Sequence, residues 1–376
     1  LRSFDAFRAA FPAYRDSVYL NHAATSPASE SDRAVLEAWW SRAARPVEEQ
    51  YQQWVEMRAA LKADIARFIG AASADLITLT GNTTHGLNIA AAGLAWEPGD
   101  RVLLNRMEFP ANIYPFLNLE RLGVAVDWAD PVDGRLPLEA WVGKVTARTR
   151  LVSVSLVQFL NGFTADLAAL GAFCRDRGIW LVVDGIQGVG AIPFDLATTP
   201  VDALSCGGAK WMMWPQGTGF LYLSPALLEA VRPVHAGWLG VKDAWNFHDY
   251  RLEFLDTAER FEGGTLNWLG YSLAFERMKQ FLRLGREAIW ARVRRLADRL
   301  ADGFQALGAE IVTPLAPRER SGIVTIRVPE PEQVLQRLTA AGIVLSLREG
   351  VLRFSPHVGN TEEDIDCALE ALKAAL

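Results

Sequence analysis

Lys210 stands in Gly207-Gly208-Ala209-Lys210-Trp211, and Trp211-Met212-Met213-Trp214-Pro215 continues the run. An ammonium group held against that much apolar surface is poorly solvated, so the amine tends to lose its proton and become a nucleophile. A lysine with its head in water is the ordinary alternative. Upstream, Gly178-Ile179-Trp180-Leu181-Val182-Val183-Asp184 reads as a buried parallel strand ending in a carboxylate, and Val201-Asp202-Ala203-Leu204-Ser205 reads as the next strand. Open α/β sheets place ligands at such strand ends. One end offers an acid and the next an amine, a pair suited to carbonyl chemistry at a nitrogen base.

Pyridoxal phosphate requires that pair: a lysine for the Schiff base, and a carboxylate that keeps the pyridine nitrogen protonated. On Asp184-Gly185-Ile186-Gln187 and Gly207-Gly208-Ala209-Lys210 the chain resembles the class V aminotransferase family of pyridoxal-phosphate enzymes, which includes cysteine desulfurases and isopenicillin N epimerase. The resemblance implies that Lys210 is catalytic, that Asp184 pairs with the pyridinium nitrogen, and that Gln187 donates to the phenolate oxygen. In Leu76-Ile77-Thr78-Leu79-Thr80-Gly81-Asn82-Thr83-Thr84-His85-Gly86-Leu87-Asn88 a strand breaks at Gly81 and a helix begins. Free amides at a helix start suit a phosphate, although threonine also caps ordinary helices. The stretch is similar to the family's Gly-x-Thr-Thr-Glu-x-x-Asn, with Thr83 and Thr84 on the phosphate positions and His85 where glutamate often stands.

Other matches fill out the expected site. In Met107-Glu108-Phe109-Pro110, Phe109 takes the place of the histidine that cysteine desulfurases stack on the ring. It keeps the stacking but has no titratable proton. At the end of the strand Leu151-Val152-Ser153-Val154-Ser155-Leu156-Val157-Gln158, either Gln158 or Asn161 is expected to face the cofactor, Gln158 being favoured. Asn21 and His22, in Val18-Tyr19-Leu20-Asn21-His22-Ala23-Ala24, fall on the family's substrate side, though turn and capping roles fit them equally. Thr265, in Phe261-Glu262-Gly263-Gly264-Thr265, falls where the family's threonine reaches the phosphate of a neighbouring subunit, implying a homodimer. Arg353, in Leu352-Arg353-Phe354-Ser355-Pro356-His357, falls on the arginine that binds a substrate carboxylate, for which a guanidinium fork is well shaped.

Departures from the family pattern bear on the reaction. The usual Ser-x-His-Lys is reduced to Gly207-Gly208-Ala209-Lys210, and Ala341 to Gly350 holds no cysteine where a desulfurase needs a thiolate. A pyridoxal-phosphate aminotransferase acting on an amino acid and a keto acid is therefore the expected activity. An epimerase or C–S lyase is the alternative, and a persulfide-forming desulfurase is disfavoured. A non-catalytic binding or regulatory member of the fold is a further alternative, against which both Lys210 and Asp184 are retained.

The elements that must position these residues alternate strand and helix from about 75 to 225, calling for a mostly parallel sheet covered on both faces. A chain of 376 residues is too long for one simple core. The expected α/β fold is therefore that of a fold type I transferase, with a large cofactor-binding domain over 17–260 and a smaller C-terminal α/β domain over 261–376, residues 1–16 packing on the latter. Helices are expected over 1–16, 30–69 (two), 165–177 and 271–307, the last with Ile289, Val293, Leu296, Leu300 and Phe304 on one face. The net charge of −6 argues against a nucleic-acid partner. Cys174, Cys206 and Cys367 have neither metal-ligand nor disulfide spacing, which fits a reducing compartment, the cytoplasm by default. No apolar run approaches a membrane span or a signal peptide, and no metal is expected.

Overall fold

The computed structural model describes residues 3–45 and 48–376; residues 1 and 2 of the expected first helix, and 46 and 47 between the next two, lie outside the described residues. A short strand β1 (Val18–Tyr19) precedes a central sheet made of β2 (Ile77–Thr80), β3 (Arg101–Asn105), β4 (Ala125–Ala129), β5 (Thr149–Ser155), β6 (Trp180–Asp184), β7 (Ala203–Gly207) and β8 (Gly219–Leu223). Their order across the sheet is β2-β8-β7-β6-β5-β3-β4. The run from β7 to β4 is parallel, and β8 lies antiparallel to both of its neighbours. Leu151, Val152 and Val154 of β5 and Leu181, Val182 and Val183 of β6 are fully buried. Strands this apolar on both faces need helices on each side.

Two of those helices show how local sequence sets the ends. Asp166 caps Leu167–Arg175 by accepting from the Ala169 amide, and Leu167, Leu170, Gly171 and Cys174 form the buried face that the spacing predicts. Asn82 caps Thr83–Gly93 by accepting from the His85 amide.

The second, smaller core is built on an antiparallel sheet. Strand β9 (Glu310–Ile311) lies beside β10 (Val324–Arg327), which is followed by β11 (Ile343–Val344), β12 (Ser346–Arg348) and β13 (Val351–Phe354). The sheet order is β12-β13-β10-β9, and β11 pairs instead with β1, in parallel. Helices Arg286–Ala306, Pro331–Ala340 and Glu362–Ala375 supply Leu296, Leu300, Phe304, Leu338, Ile365 and Leu372 to this core.

One expectation is corrected. The single helix over 271–307 is two, Trp268–Leu284 and Arg286–Ala306, because Gly285 adopts a φ of +83° that ends the first one. Beyond residue 261 the chain contributes to both cores. Tyr271, Ala274, Met278 and Phe281 pack into the larger core, and so do Phe7, Phe11 and Tyr14 of the N-terminal segment; the second core begins within Arg286–Ala306. The face of an amphipathic helix is readable from sequence, but the core it faces is not. Among the described residues no helix is long and apolar enough to cross a membrane.

Candidate active site

A cavity of about 290 Å³ opens at the C-terminal ends of β6 and β7. Asp184 is the last residue of β6, and Lys210 follows β7 by one short turn. Both line the cavity, together with Gln187, Thr83, Thr84, Phe109 and Arg353. Seven of the residues singled out from sequence thus meet in one place.

Asp184 is buried, and its Oδ1 accepts the Ile186 amide at 2.9 Å. Its second carboxylate oxygen has no protein partner among the described residues. Burial pushes its carboxyl well above the ordinary range, with the nearby Glu108 charge adding to the effect and the Ile186 amide and Lys210 opposing it. Lys210 is pushed the other way, chiefly by burial, with the Arg353 and Arg348 charges adding and Asp184 opposing. Its Nζ lies 5.5 Å from the centre of the Phe109 ring. Phe109 is 45% exposed and meets Phe159 edge-on at 5.3 Å.

The amide of Gln187 is oriented from both ends. Its Nε2 donates to the Ala23 carbonyl at 3.0 Å, and its Oε1 accepts the Trp211 indole N–H at 2.9 Å. One N–H of that amide remains to face the cavity. Trp211 is in turn held by His357, whose Nε2 donates to the Trp211 carbonyl at 2.7 Å.

Thr83 joins the helix start to the lysine turn: its Oγ1 accepts the Gly207 amide at 2.9 Å, and its carbonyl accepts the Ser205 hydroxyl at 2.8 Å. A Cβ at Gly207 would come within 3.1 Å of that Oγ1, so the two segments approach closely only because glycine stands there. The amides of the helix's first turn have no helical acceptors and point out of its N-terminus. From the other side, the Ser26 amide donates to the Ala209 carbonyl at 2.9 Å, bracing the backbone just before Lys210.

Arg353 is buried on β13. Its Nη1 donates to the Phe159 carbonyl at 2.6 Å, and its Nε donates to Ser346 Oγ, directly across the hairpin, at 3.3 Å. Burial and the Arg348 charge lower its pKa to about 10, so the guanidinium stays charged at neutral pH with Nη2 unpartnered among the described residues.

Other expected site residues lie elsewhere. His22 is fully buried behind the cavity: Nδ1 donates to the Ser355 carbonyl at 3.1 Å and Nε2 accepts the Tyr14 hydroxyl at 2.8 Å, so the ring is neutral and engaged at both nitrogens. Asn21 pairs with Ser355 in an isolated bridge, and its buried Oδ1 has no hydrogen-bond partner among the described residues. Ala23 and Ala24 are the residues of that turn that line the cavity. Gln158 is fully buried and turned inward, donating to Glu108 Oε1 at 2.9 Å, while Asn161 donates to the Gly134 carbonyl at 2.7 Å; neither lines the cavity, which Phe159 does. Glu108 gathers Asn105, Ser155 and Gln158, and these contacts fix the ends of β3 and β5. Thr265 is exposed, away from this cavity. Missed from sequence were Asn82, Phe159 and Arg348, which also line it. A larger cavity of about 720 Å³ near Trp141 and Arg286 contains none of these groups, and two of its three arginines, Arg135 and Arg286, are paired with Glu319 and Asp195.

The donor set fits pyridoxal 5′-phosphate: an unpartnered buried carboxylate oxygen for a ring nitrogen, a helix start for a phosphate, and a desolvated amine between them. Fold and site together define a pyridoxal-phosphate enzyme of fold type I. The chain belongs to the class V aminotransferase family, whose model, "Aminotransferase class-V", matches residues 18–367. A probable cysteine desulfurase of Methanothermobacter thermautotrophicus is 30% identical over 96% of this chain and 95% of its own length. Isopenicillin N epimerase of Streptomyces clavuligerus is 30% identical over 82% of each. Among solved structures, the apo cysteine desulfurase of Thermococcus onnurineus NA1 superposes with a TM-score of 0.91 at 23% identity, over 100% of this chain and 98% of that one.

Proposed function

We propose that the protein is an aminotransferase in which Lys210 carries the substrate's Cα proton, Asp184 holds the ring nitrogen of the cofactor and Arg353 clamps the substrate carboxylate. When bound, pyridoxal 5′-phosphate supplies an aldehyde for the amine and a ring that withdraws electrons from Cα. Gln187 would donate to its phenolate oxygen, the Thr83–Thr84 helix start would hold its phosphate, and Phe109 would cover its ring. With its pKa lowered by burial, Lys210 is neutral often enough to accept a proton at Nζ, and the charged Arg353 orients the substrate so that Cα presents that proton.

The observation that carries the reading is the lack of a second base. Among the described residues, the titratable side chains lining the cavity are Asp184, Lys210, Arg348 and Arg353, and Phe109 stands where a histidine would titrate. Within one chain, inversion by two bases on opposite faces of Cα lacks its partner for Lys210, whereas one amine suffices to move a proton in transamination. No cysteine lines the cavity; Cys174 and Cys206 are buried and Cys367 is exposed on the last helix, which disfavours persulfide formation.

Single-turnover mixing of the holoenzyme with a panel of amino acids tests this. Loss of the visible cofactor band with one equivalent of keto acid released is expected. Recovery of the band with an inverted or fragmented amino acid would replace the reading by epimerase or C–S lyase. Lys210→Ala should lower turnover by about 10²–10⁴-fold or more.

We also infer a homodimer with Thr265 reaching the partner's phosphate site. Thr265 is exposed, and the same region exposes Trp238, Trp245, Phe247 and Leu252, an apolar run that a monomer would leave in water. Sedimentation should give twice the chain mass; a monomeric, fully active species would refute it.

A further inference from the structure

The β12–β13 hairpin carries two arginines where the carboxylate clamp needs one. Its two-residue turn, Glu349-Gly350, has positive φ at both positions, 46° and 75°, as a tight hairpin turn requires. That turn fixes a register in which Ser346 faces Arg353 and Arg348 faces Val351. Residues 346, 348, 351 and 353 therefore share one face of the hairpin. Arg348 and Arg353 are diagonal neighbours on it, about 7–8 Å apart along the strands, and both line the cavity that holds Lys210.

Arg353 is anchored by Phe159 and Ser346. Arg348 stands exposed at the rim, and its one hydrogen bond, from Nη1 to the Leu347 carbonyl at 2.9 Å, is to its neighbour's backbone. No carboxylate among the described residues pairs with it. The charges of both arginines bear on Lys210, and that of Arg348 bears on Arg353. Like charges on one face repel and cost stability, so the arrangement asks for an anion from outside. The α-carboxylate of a substrate neutralises Arg353 and leaves Arg348 facing the side chain.

We propose that Arg348 selects amino acids that carry a second carboxylate on the side chain, making the site one for dicarboxylic amino acids. The proposal rests on the reading of this cavity as an amino-acid site with Arg353 on the α-carboxylate. A guanidinium fork at the rim meets a distal carboxylate in water-accessible surroundings, so the contact sorts substrates by a charge-assisted hydrogen bond without burying a new charge.

The test uses the holoenzyme and 2-methyl amino acids, which have no Cα proton to lose, so that binding is read from the cofactor's spectrum whatever the reaction. 2-Methylaspartate and 2-methylglutamate are compared with 2-methylalanine in the wild type, Arg348→Gln and Arg348→Lys. At least one dicarboxylic analogue should bind the wild type about ten- to a hundredfold more tightly than 2-methylalanine, the worth of one charge-assisted bond. Arg348→Gln should bring that ratio to within about threefold while leaving 2-methylalanine binding nearly unchanged, and Arg348→Lys should restore part of it. Equal binding of all three analogues by the wild type overturns the proposal. So does an equal loss for all three in Arg348→Gln, which would put Arg348 on the α-carboxylate. A wild type whose spectrum answers to none of them removes the amino-acid reading of the site itself, and the proposal with it.

Discussion

Asp184→Asn should make the cofactor-free protein more stable and the working enzyme worse. The Asp184 carboxyl is raised from 3.8 to about 7 by burial and by the Glu108 charge. At pH values below the unfolded pKa both states are protonated and nothing is lost. As pH rises toward about 7 the unfolded chain ionises while the folded carboxyl keeps its proton, so stability falls across that window and stays low above it. At about 1.36 kcal/mol per pKa unit, the penalty is capped at about 4 kcal/mol. Asparagine keeps an oxygen for the Ile186 amide and removes the charge, but it also deprives the desolvated Lys210 of its counter-charge. A net gain of about 1–3 kcal/mol at pH 8 remains, a few °C in Tm for a chain of this size. With cofactor bound the proposed role of Asp184 reverses the sign: the carboxylate's bond to the ring nitrogen would be lost, weakening cofactor binding by about 10–150-fold, the worth of a charged hydrogen bond of about 1.5–3 kcal/mol. Melting curves of cofactor-free and loaded protein at pH 5, 6.5 and 8, with a cofactor titration, read both effects. A cofactor-free variant that melts below the wild type at pH 8, or whose advantage is the same at pH 5, would refute the reasoning.

Arg353→Lys loses the fork while keeping the charge, and should raise KM for the amino acid about tenfold or more, with kcat changed less, in steady-state assays. Burial lowers the His357 imidazole from 6.5 to about 4 and holds His22 beside it low as well. The unfolded chain takes up these protons below about 6.5 while the folded one does not, so stability should drain away as pH falls from 6.5 toward 4, by up to about 3 kcal/mol for His357. Urea unfolding at pH 7 and pH 5 should show a smaller loss in His357→Gln, which retains a donor for the Trp211 carbonyl but does not titrate. Trp211→Phe leaves Gln187 Oε1 buried without its donor, a cost of about 1–3 kcal/mol, and should move the holoenzyme's visible band as the Gln187 amide loses its orientation; an unmoved band in a destabilised variant would confine Trp211 to packing.

Residues with fixed offsets from a strand end were legible in the sequence. Asp184 closes β6, Lys210 follows β7, and Thr83 and Thr84 open a helix behind a glycine break, so one sheet carries all of them to one edge. Arg353 was legible through a motif. Gln158 was misplaced because the chain turns immediately after β5, and Phe159 rather than Gln158 comes round to the cavity while the amide is drawn inward by Glu108. His22 was misplaced because its partners, Tyr14 and Ser355, come from distant segments that no local pattern announces. Arg348 carried a readable signal: Ser346-x-Arg348, a two-residue Glu-Gly turn and Val351-x-Arg353 set both arginines on one face by alternation alone. The break in the helix expected over 271–307 was missed because helical periodicity runs on across Gly285, whose φ of +83° ends the first helix.

The parallel pairing of β1 with β11 sets a clock on the making of this enzyme. Val18 pairs with Ile343 and the His22 ring donates to the Ser355 carbonyl, so more than three hundred residues must be translated between these partners, roughly 15–65 s at ribosomal speeds of about 5–20 residues per second. Through that interval the larger core can condense around its parallel sheet, and Ala23 and Ser26 can already meet Gln187 and Ala209, yet the first strand has no strand to pair with. The nascent chain therefore closes its first strand onto the smaller core last, and Arg353, on the C-terminal hairpin, joins the cavity only when translation is nearly complete.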